Sequence, residues 1–153
     1  MIAALDADDP RLPAIARWIN ETWSDSHGYS IAETSAWLRD IAEGASQAAI
    51  IAIVAGQPIG VGLLVENDLP EPSDCGPWLS SLLVVPEWRR KGIGARLIET
   101  VAGTARTLRT DVLYLHCRPG PLPGYYAKRG FVDIGPLRFG QSEHRLMRRP
   151  LTR

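Results

Sequence analysis

The segment from Leu82 to Arg96 constrains this chain more than any other. An apolar run, Leu82-Leu83-Val84-Val85, stops at Pro86. Proline has no amide hydrogen for a sheet ladder, so a strand ends there. Three basic residues, Arg89-Arg90-Lys91, then lead into Gly92-Ile93-Gly94. Beyond them Ile93, Leu97, Val101, Ala105 and Leu108 recur at spacings of three or four and share one helical face. A strand, a basic glycine turn and a helix N-terminus in that order offer an anion site. The first helical turn has unpaired amides at the positive end of the macrodipole. Glycine lets a phosphate approach the backbone without meeting a Cβ. The plainer alternative is a strand-to-helix turn with a solvated basic surface. Two familiar phosphate loops do not fit. A Walker loop needs four residues between its glycines and then Lys-Ser or Lys-Thr, and the dinucleotide fingerprint needs a third glycine that is absent here.

A second segment lies downstream, Tyr125-Tyr126-Ala127-Lys128-Arg129-Gly130-Phe131. Together the two resemble the GNAT (GCN5-related) N-acetyltransferases. Arg89-x-x-Gly92-x-Gly94 after a strand is similar to that family's Arg/Gln-x-x-Gly-x-Gly/Ala signature. Tyr126-x-x-x-Gly130-Phe131 is similar to its Tyr-x-x-x-Gly-Phe segment. The resemblance is clear over residues 78–135 and looser outside them.

The 153 residues suffice for one domain with a real core, expected to span residues 1–153. Hydrophobic content of 45% and charged content of 22% suit a globular chain. Lys+Arg and Asp+Glu both number 17, so the formal charge is zero and gives no electrostatic reason to expect nucleic acid or an anionic membrane as partner. Cys75 and Cys117 have no metal-like spacing. The start lacks the charged-then-apolar layout of a signal peptide, and no run approaches the ~20 apolar residues of a membrane span. A reduced, cytoplasmic protein is expected.

In chain order, Ile2–Leu5 reads as a strand, and a helix opens at Asp8-Asp9-Pro10 and ends near Trp23. Residues 24–29 read as a loop. Ser30 and Glu33 form a capping box for a second helix whose face is Ile31, Ser35, Leu38 and Ala42, stopped by Gly44. Ala48–Val54 is continuously apolar, as in a strand covered on both sides, and Ile59–Val65 is its antiparallel return. Residues 66–77, rich in acids and prolines, form an exposed loop before the strand Trp78–Val85. The helix from Gly92 to Leu108 crosses over to a parallel strand, Val112–Cys117. The proline-rich stretch 119–124 reads as a stiff loop, Tyr125–Arg129 as a short helix, and Phe131–Ile134 and His144–Met147 as closing strands. The order β-α-α-β-β-β-α-β-α-β-β gives an α/β fold, a mixed, mostly antiparallel central sheet flanked by helices. It is also the order the resemblance implies, with the strands ending at Val85 and Cys117 splayed around the cofactor.

The resemblance implies direct acetyl transfer from acetyl-CoA, used as a co-substrate and without a metal, to a primary amine. It places the pyrophosphate on the backbone of Arg90, Lys91, Gly92, Ile93, Gly94 and Ala95. It places pantetheine and the thioester along Leu82, Leu83 and Val84, where the family has a bulge that frees backbone groups to polarise a carbonyl. Tyr126 matches the family's acid, and a phenol, protonated at neutral pH, can supply a departing thiolate. Tyr125 is the alternative if the helix is shifted by one residue. His116, at the end of its strand, stands about where related ribosomal-protein alanine acetyltransferases carry a glutamate base, and an imidazole suits that task. Its other reading is a strand-end histidine bonded to a loop. Glu66 and Asp74 are rival bases, and a water relay is a third possibility. The family's asparagine after the fifth strand is missing, since Arg118-Pro119-Gly120-Pro121 stands there.

Cys117 beside His116 is not read as a nucleophile, because adjacent strand residues point to opposite faces. His27 and His144 look isolated, and no metal set is evident. Trp18, Trp23, His27, Tyr29 and Trp37 either line an acceptor pocket or pack the first helices on the sheet. Glu66, Asp68, Glu71 and Asp74 would draw in a cationic amine. The acceptor is expected to be a small amine, with a protein N-terminus or lysine second and a charged tRNA third. A non-catalytic acyl-CoA sensor is the rival class, and a homodimer is open.

Overall fold

The structure is a computed structural model that describes residues 1–71 and 73–151, with the side chains of residues 24–27 outside the description. Among these residues seven strands form one sheet: β1 Ile2–Ala4, β2 Ala48–Val54, β3 Gln57–Val65, β4 Trp78–Val84, β5 Val112–Cys117, β6 Val132–Phe139 and β7 Ser142–Pro150. Among the described residues four helices flank it: α1 Leu12–His27, α2 Ile31–Glu43, α3 Ile93–Thr107 and α4 Pro121–Ala127. The sheet order is β1-β2-β3-β4-β5-β7-β6. Every neighbouring pair is antiparallel except β4 and β5. The expected element order and sheet type therefore hold.

Strand alternation sends side chains to two cores. Ile50, Ala52, Leu64, Leu79, Leu113, Leu115 and Cys117 pack with Leu97, Ile98, Val101, Ala102 and Ala105 of α3. Ala49, Ile51, Ile53, Val61, Leu63 and Trp78 pack with Leu12, Ile15, Ala16 and Ile19 of α1 and Leu38 and Ile41 of α2. The unbroken apolar run of β2 is thus explained, because both of its faces are covered.

Several boundaries differ from the sequence expectation. Helix α1 continues past Trp23, whose φ of −121° and ψ of 23° interrupt the helical backbone, and reaches His27. The capping box is present, with Ser30 Oγ accepting from Glu33 N–H and the Glu33 carboxylate accepting from Ser30 N–H, each at 3.0 Å. The buried face of α2 is Thr34, Leu38 and Ile41, rotated from the one expected. Thr34 turns inward because its hydroxyl is satisfied there, donating to Ser30 O and accepting from Asn20 Nδ2. Residues 121–124, expected as loop, are the first turn of α4. Prolines fit that turn, where the missing amide hydrogens have no intrahelical partner to lose. Strands β6 and β7 are longer than expected because they pair as one hairpin, with Phe139 opposite Ser142.

Two features of β4 shape the gap between it and β5. From Ser80 to Leu83 it advances three residues while β3 moves only from Leu63 to Val61, so β4 carries a bulge at Ser81-Leu82. Ser81 takes the strain, with φ of 53°. The bulge shifts the alternation, so that Leu82 and Val84 pack toward α3 and Leu83 toward α1 and α2. Secondly, β4 and β5 share a single registered pair, Trp78 opposite Tyr114. Beyond that pair the strands part.

Removing the cap by Ser30→Ala should lower stability by about 1 kcal/mol. Leu97→Ala, which empties a fully buried site in the α3 core, should cost about 3 kcal/mol. Urea melts of both variants check the ranking, and equal midpoints would contradict it.

Candidate active site

Three pieces of backbone meet around the fork between β4 and β5. The first is the turn into α3. A short 3-10 turn, Pro86–Trp88, follows β4, and Arg89 donates from Nε back to Val84 O at 2.9 Å. Arg90 and Gly92 both have left-handed backbones, at φ of 63° and 82°. Gly92 is the N-cap of α3 and offers no side-chain acceptor to the helix. The first amides of α3 therefore keep their donors for something else. Successive amides around left-handed residues form an anion-binding concavity. A Cβ at Gly92 would meet nothing within 4 Å, so the space over the turn is open. A Cβ at Gly94 would collide with the Tyr125 hydroxyl. These residues fit a pyrophosphate.

The second piece is α4. Tyr125 reaches over to Gly94, and its ring lies under the Arg129 guanidinium, 3.8 Å from Cζ to the centroid. Arg129 also donates from Nη1 to Tyr125 O at 2.9 Å. Tyr125 thus ties α4 to the start of α3. Tyr126 points elsewhere, edge-on to Phe131 at 5.9 Å between centroids. Burial, and then the neighbouring Cys117 and Tyr125, push its phenol above the usual tyrosine value. It stays protonated throughout the neutral range. Cys117 packs in the α3 core, where burial and the Asp133 carboxylate push its thiol up to about 11. His116, its neighbour in sequence, is on the other face against Trp78, as alternation requires.

The third piece is a polar line on that other face. The ring of His116 is held at both nitrogens. Nε2 lies 3.1 Å from Asp68 Oδ2 and 3.2 Å from Asp68 O. Nδ1 lies 2.8 Å from Nδ1 of His144. Ser80 Oγ donates to Asp68 Oδ1 at 2.9 Å, and Ser81 Oγ is 3.3 Å from Ser80 Oγ. Phe139 covers both imidazoles, with ring centroids 4.7 Å from His116 and 5.2 Å from His144. Burial, then His116 and Arg118, hold His144 below the ordinary histidine value, against the pull of Asp68.

His144 therefore is not isolated, and Asp68 does more than colour the loop. Sequence reasoning missed this line because its members lie 48 and 28 residues from His116. The antiparallel register of β5 with β7 puts His116 opposite Leu146, one alternation from His144. The rival bases lie outside it. Glu66 is bonded to Ser46 Oγ and, through its amide, to Gln47 Oε1. Asp74 is exposed. Of the aromatic group, Trp18 and Trp23 pack into the α1 and α2 core, whereas Tyr29 and Trp37 are exposed. The side chain of His27 lies outside the described residues. No group of three metal-binding side chains arises among the described residues. No helix among them is long and apolar enough to cross a membrane.

The profile of the acetyltransferase (GNAT) family matches residues 12–131. The chain belongs to that family. As a GNAT acetyltransferase it is an N-acetyltransferase, with acetyl-CoA as co-substrate. Solved structures share the fold. An aminoglycoside 6'-acetyltransferase type Ii superposes with a TM-score of 0.79 at 19% identity, covering 100% of this chain and 98% of that one. An aminoglycoside 6'-N-acetyltransferase complexed with coenzyme A gives 0.79 at 17% identity, with coverage of 100% and 98%. The ribosomal-protein-alanine N-acetyltransferase from Brucella melitensis gives 0.76 at 19%, with coverage of 98% and 99%. No curated protein matches the acetyltransferase.

The thiol and imidazole environments make two checks. In native protein at pH 8, Cys117 should stay unmodified by a disulfide reagent and react only after denaturation; fast labelling would refute its burial. His144 is held neutral in the fold and takes a proton first in the unfolded chain. Stability should therefore fall as pH drops below about 6.5. A thermal-melt series from pH 7.5 to 5 checks this, and its slope should be smaller in His144→Asn.

Proposed function

We propose that this acetyltransferase moves an acetyl group directly from acetyl-CoA to a primary amine on a small molecule, within one domain spanning residues 1–153. One observation carries the reading. The parting of β4 from β5 opens between a donor-rich glycine turn and Tyr126 on one face and the polar line of Asp68, His116 and His144 on the other. Donor and amine can then approach one carbonyl from opposite sides.

In this reading the amides from Arg90 to Ala95 hold the pyrophosphate, with Arg90 and Lys91 supplying counter-charge. The backbone of Leu82, Leu83 and Val84, at and just past the bulge, pairs with the pantetheine arm and polarises the carbonyl. Acetyl-CoA supplies an activated thioester. Tyr126 faces the departing sulfur as hydrogen-bond donor, and its raised value keeps the proton in place at working pH. His116 belongs to the base that receives the amine proton. Asp68, Glu71 and Asp74, in the loop before β4, favour a cationic amine near this mouth. A small acceptor is supported by the aminoglycoside enzymes among the structural neighbours. A protein N-terminus is the second reading, supported by the comparable likeness to the ribosomal-protein-alanine enzyme.

Acetyl-CoA should raise the melting temperature of the wild type in a saturable way, as any ligand of the native state does. Gly92→Glu, which puts a carboxylate on the open turn, should abolish the shift. A folded wild type without any shift would sink the assignment. In a thiol-release screen with amines, Tyr126→Phe should lower kcat at least 10-fold and leave acetyl-CoA affinity nearly unchanged. Loss of affinity alone would make Tyr126 a packing residue.

A further inference from the structure

His116 alone cannot serve as the base in the arrangement observed. Each of its ring nitrogens already has a protein partner. Both groups facing Nε2 are oxygens of Asp68, a carboxylate and a carbonyl, and both only accept. Nε2 therefore carries the hydrogen. In a neutral imidazole Nδ1 is then bare. The 2.8 Å contact to His144 Nδ1 needs one hydrogen between two nitrogens, so His144 donates it. A neutral His144 protonated at Nδ1 has a bare Nε2. Among the described residues no hydrogen-bond partner meets that nitrogen, and it is not one of the solvent-shielded atoms lacking a partner. It is the one bare nitrogen of the pair open to an incoming proton.

From this geometry we infer that His116 and His144 act as one base, in which His144 Nε2 takes the proton from the amine and Asp68 fixes the charge on His116. The inference rests on the proposed acetyl transfer. The acceptor arrives as an ammonium and gives one proton to His144 Nε2, which leaves a neutral nitrogen to bond to the acetyl carbon as the carbon–sulfur bond breaks. The Nδ1 proton of His144 passes to His116 Nδ1. His116 is then an imidazolium between Asp68 and His144, and His144 is neutral again with its hydrogen at Nε2. Tyr126 supplies the sulfur's proton and recovers one from solvent, and the imidazole pair discharges its own to solvent. The nitrogen sheds its second proton to solvent as the amide forms, so of the two protons lost from the ammonium one is returned to the thiol through Tyr126 and one is released, with no other reactant.

The charged groups around the pair favour this resting place. Asp68, from the loop between β3 and β4, touches His116 and not His144. Arg118, just after β5, disfavours positive charge on His144, as do burial and His116 itself. Phe139 from β6 closes the pair without adding charge. A cation is best placed on the ring nearer the carboxylate. The two rings then titrate as one unit, in steps that belong to the pair.

Two measurements test this. In protein labelled with 15N-histidine, nitrogen shifts of the neutral pair should show hydrogen at Nε2 of His116 and at Nδ1 of His144. Acidification should first protonate Nδ1 of His116. Hydrogen at Nδ1 of neutral His116, or independent protonation of the two rings, would overturn the relay. The second measurement is kinetic. His144→Asn keeps a donor toward His116 Nδ1 but has no second nitrogen to pass a proton. Its kcat/KM for the amine should fall about 100-fold at neutral pH, with KM for acetyl-CoA unchanged. The deficit should narrow as pH approaches the amine's own pKa, where the nucleophile arrives already neutral. His116→Gln should behave alike, and the double variant should be no worse than either single one. A loss constant across pH, no loss, or additive losses would each overturn the relay. If no amine yields thiol, the proposed reaction fails, and the nitrogen shifts still decide the tautomers.

Discussion

The parting of β4 from β5 after one registered pair is the constraint on which the rest of the site depends. Elsewhere the sheet is paired along nearly its whole length; β5 keeps six partners on β7. A parallel pair needs a crossover helix, and α3 provides it. The crossover holds the strands in one sheet without forcing them to stay together. Trp78, fully buried at the last pair, fills the fork from the α1 and α2 side. The bulge at Ser81-Leu82 turns the remainder of β4 away. Past the fork, backbone donors and acceptors on the facing edges have no strand to pair with. Backbone polar groups removed from water need partners, and an extended ligand carrying amides, as pantetheine does, is a natural one.

The zero formal charge conceals a separation of charge along this fork. Arg89, Arg90 and Lys91 follow the end of β4, where the first amides of α3 add positive potential. The acids Asp68, Glu71 and Asp74 precede its beginning. Under the proposed reaction a polyanionic donor is drawn to one end of this strand and a cationic acceptor to the other. Tyr125 and Arg129 add rigidity at the basic end, since the tyrosine hydroxyl occupies the volume a side chain at Gly94 would need. Gly94 is there for α4, whereas Gly92 is there for its left-handed backbone and the open space above it.

Local physics made much of this legible in advance. The capping box at Ser30, the doubly covered β2 and the strand–turn–helix around Gly92 each depend on neighbours in sequence. The element order followed from periodicity, and the motif pair led to the family. What was not legible depends on distant partners or on context. Thr34 faces the core because Asn20, fourteen residues earlier, receives it. Residues 121–124 are helical because prolines are harmless in a first turn, so composition alone pointed to a loop. The line Asp68–His116–His144 is set by the β5–β7 register and by the path of the loop before β4, and neither leaves a local pattern.

The two groups proposed to handle protons sit on opposite faces of the sheet, and this arises from one step of strand alternation. Cys117, facing α3, is among the neighbours that raise Tyr126, while His116, one residue earlier, faces α1 and α2. A single strand end therefore sets both environments. On the phenol side burial is the main cause that raises Tyr126, so in the proposed reaction a proton is kept there until a thiolate develops beside it. The imidazole side has a carboxylate at one end and Nε2 of His144 at the other, so under the proposed relay a proton arriving there finds a place prepared. Moving β5 by one residue against β7 would exchange the two faces and lose both. The register of that pair, fixed by the buried Leu113, Leu115 and Met147, thus ties the packing of the core to the direction in which protons would cross the site in the proposed reaction.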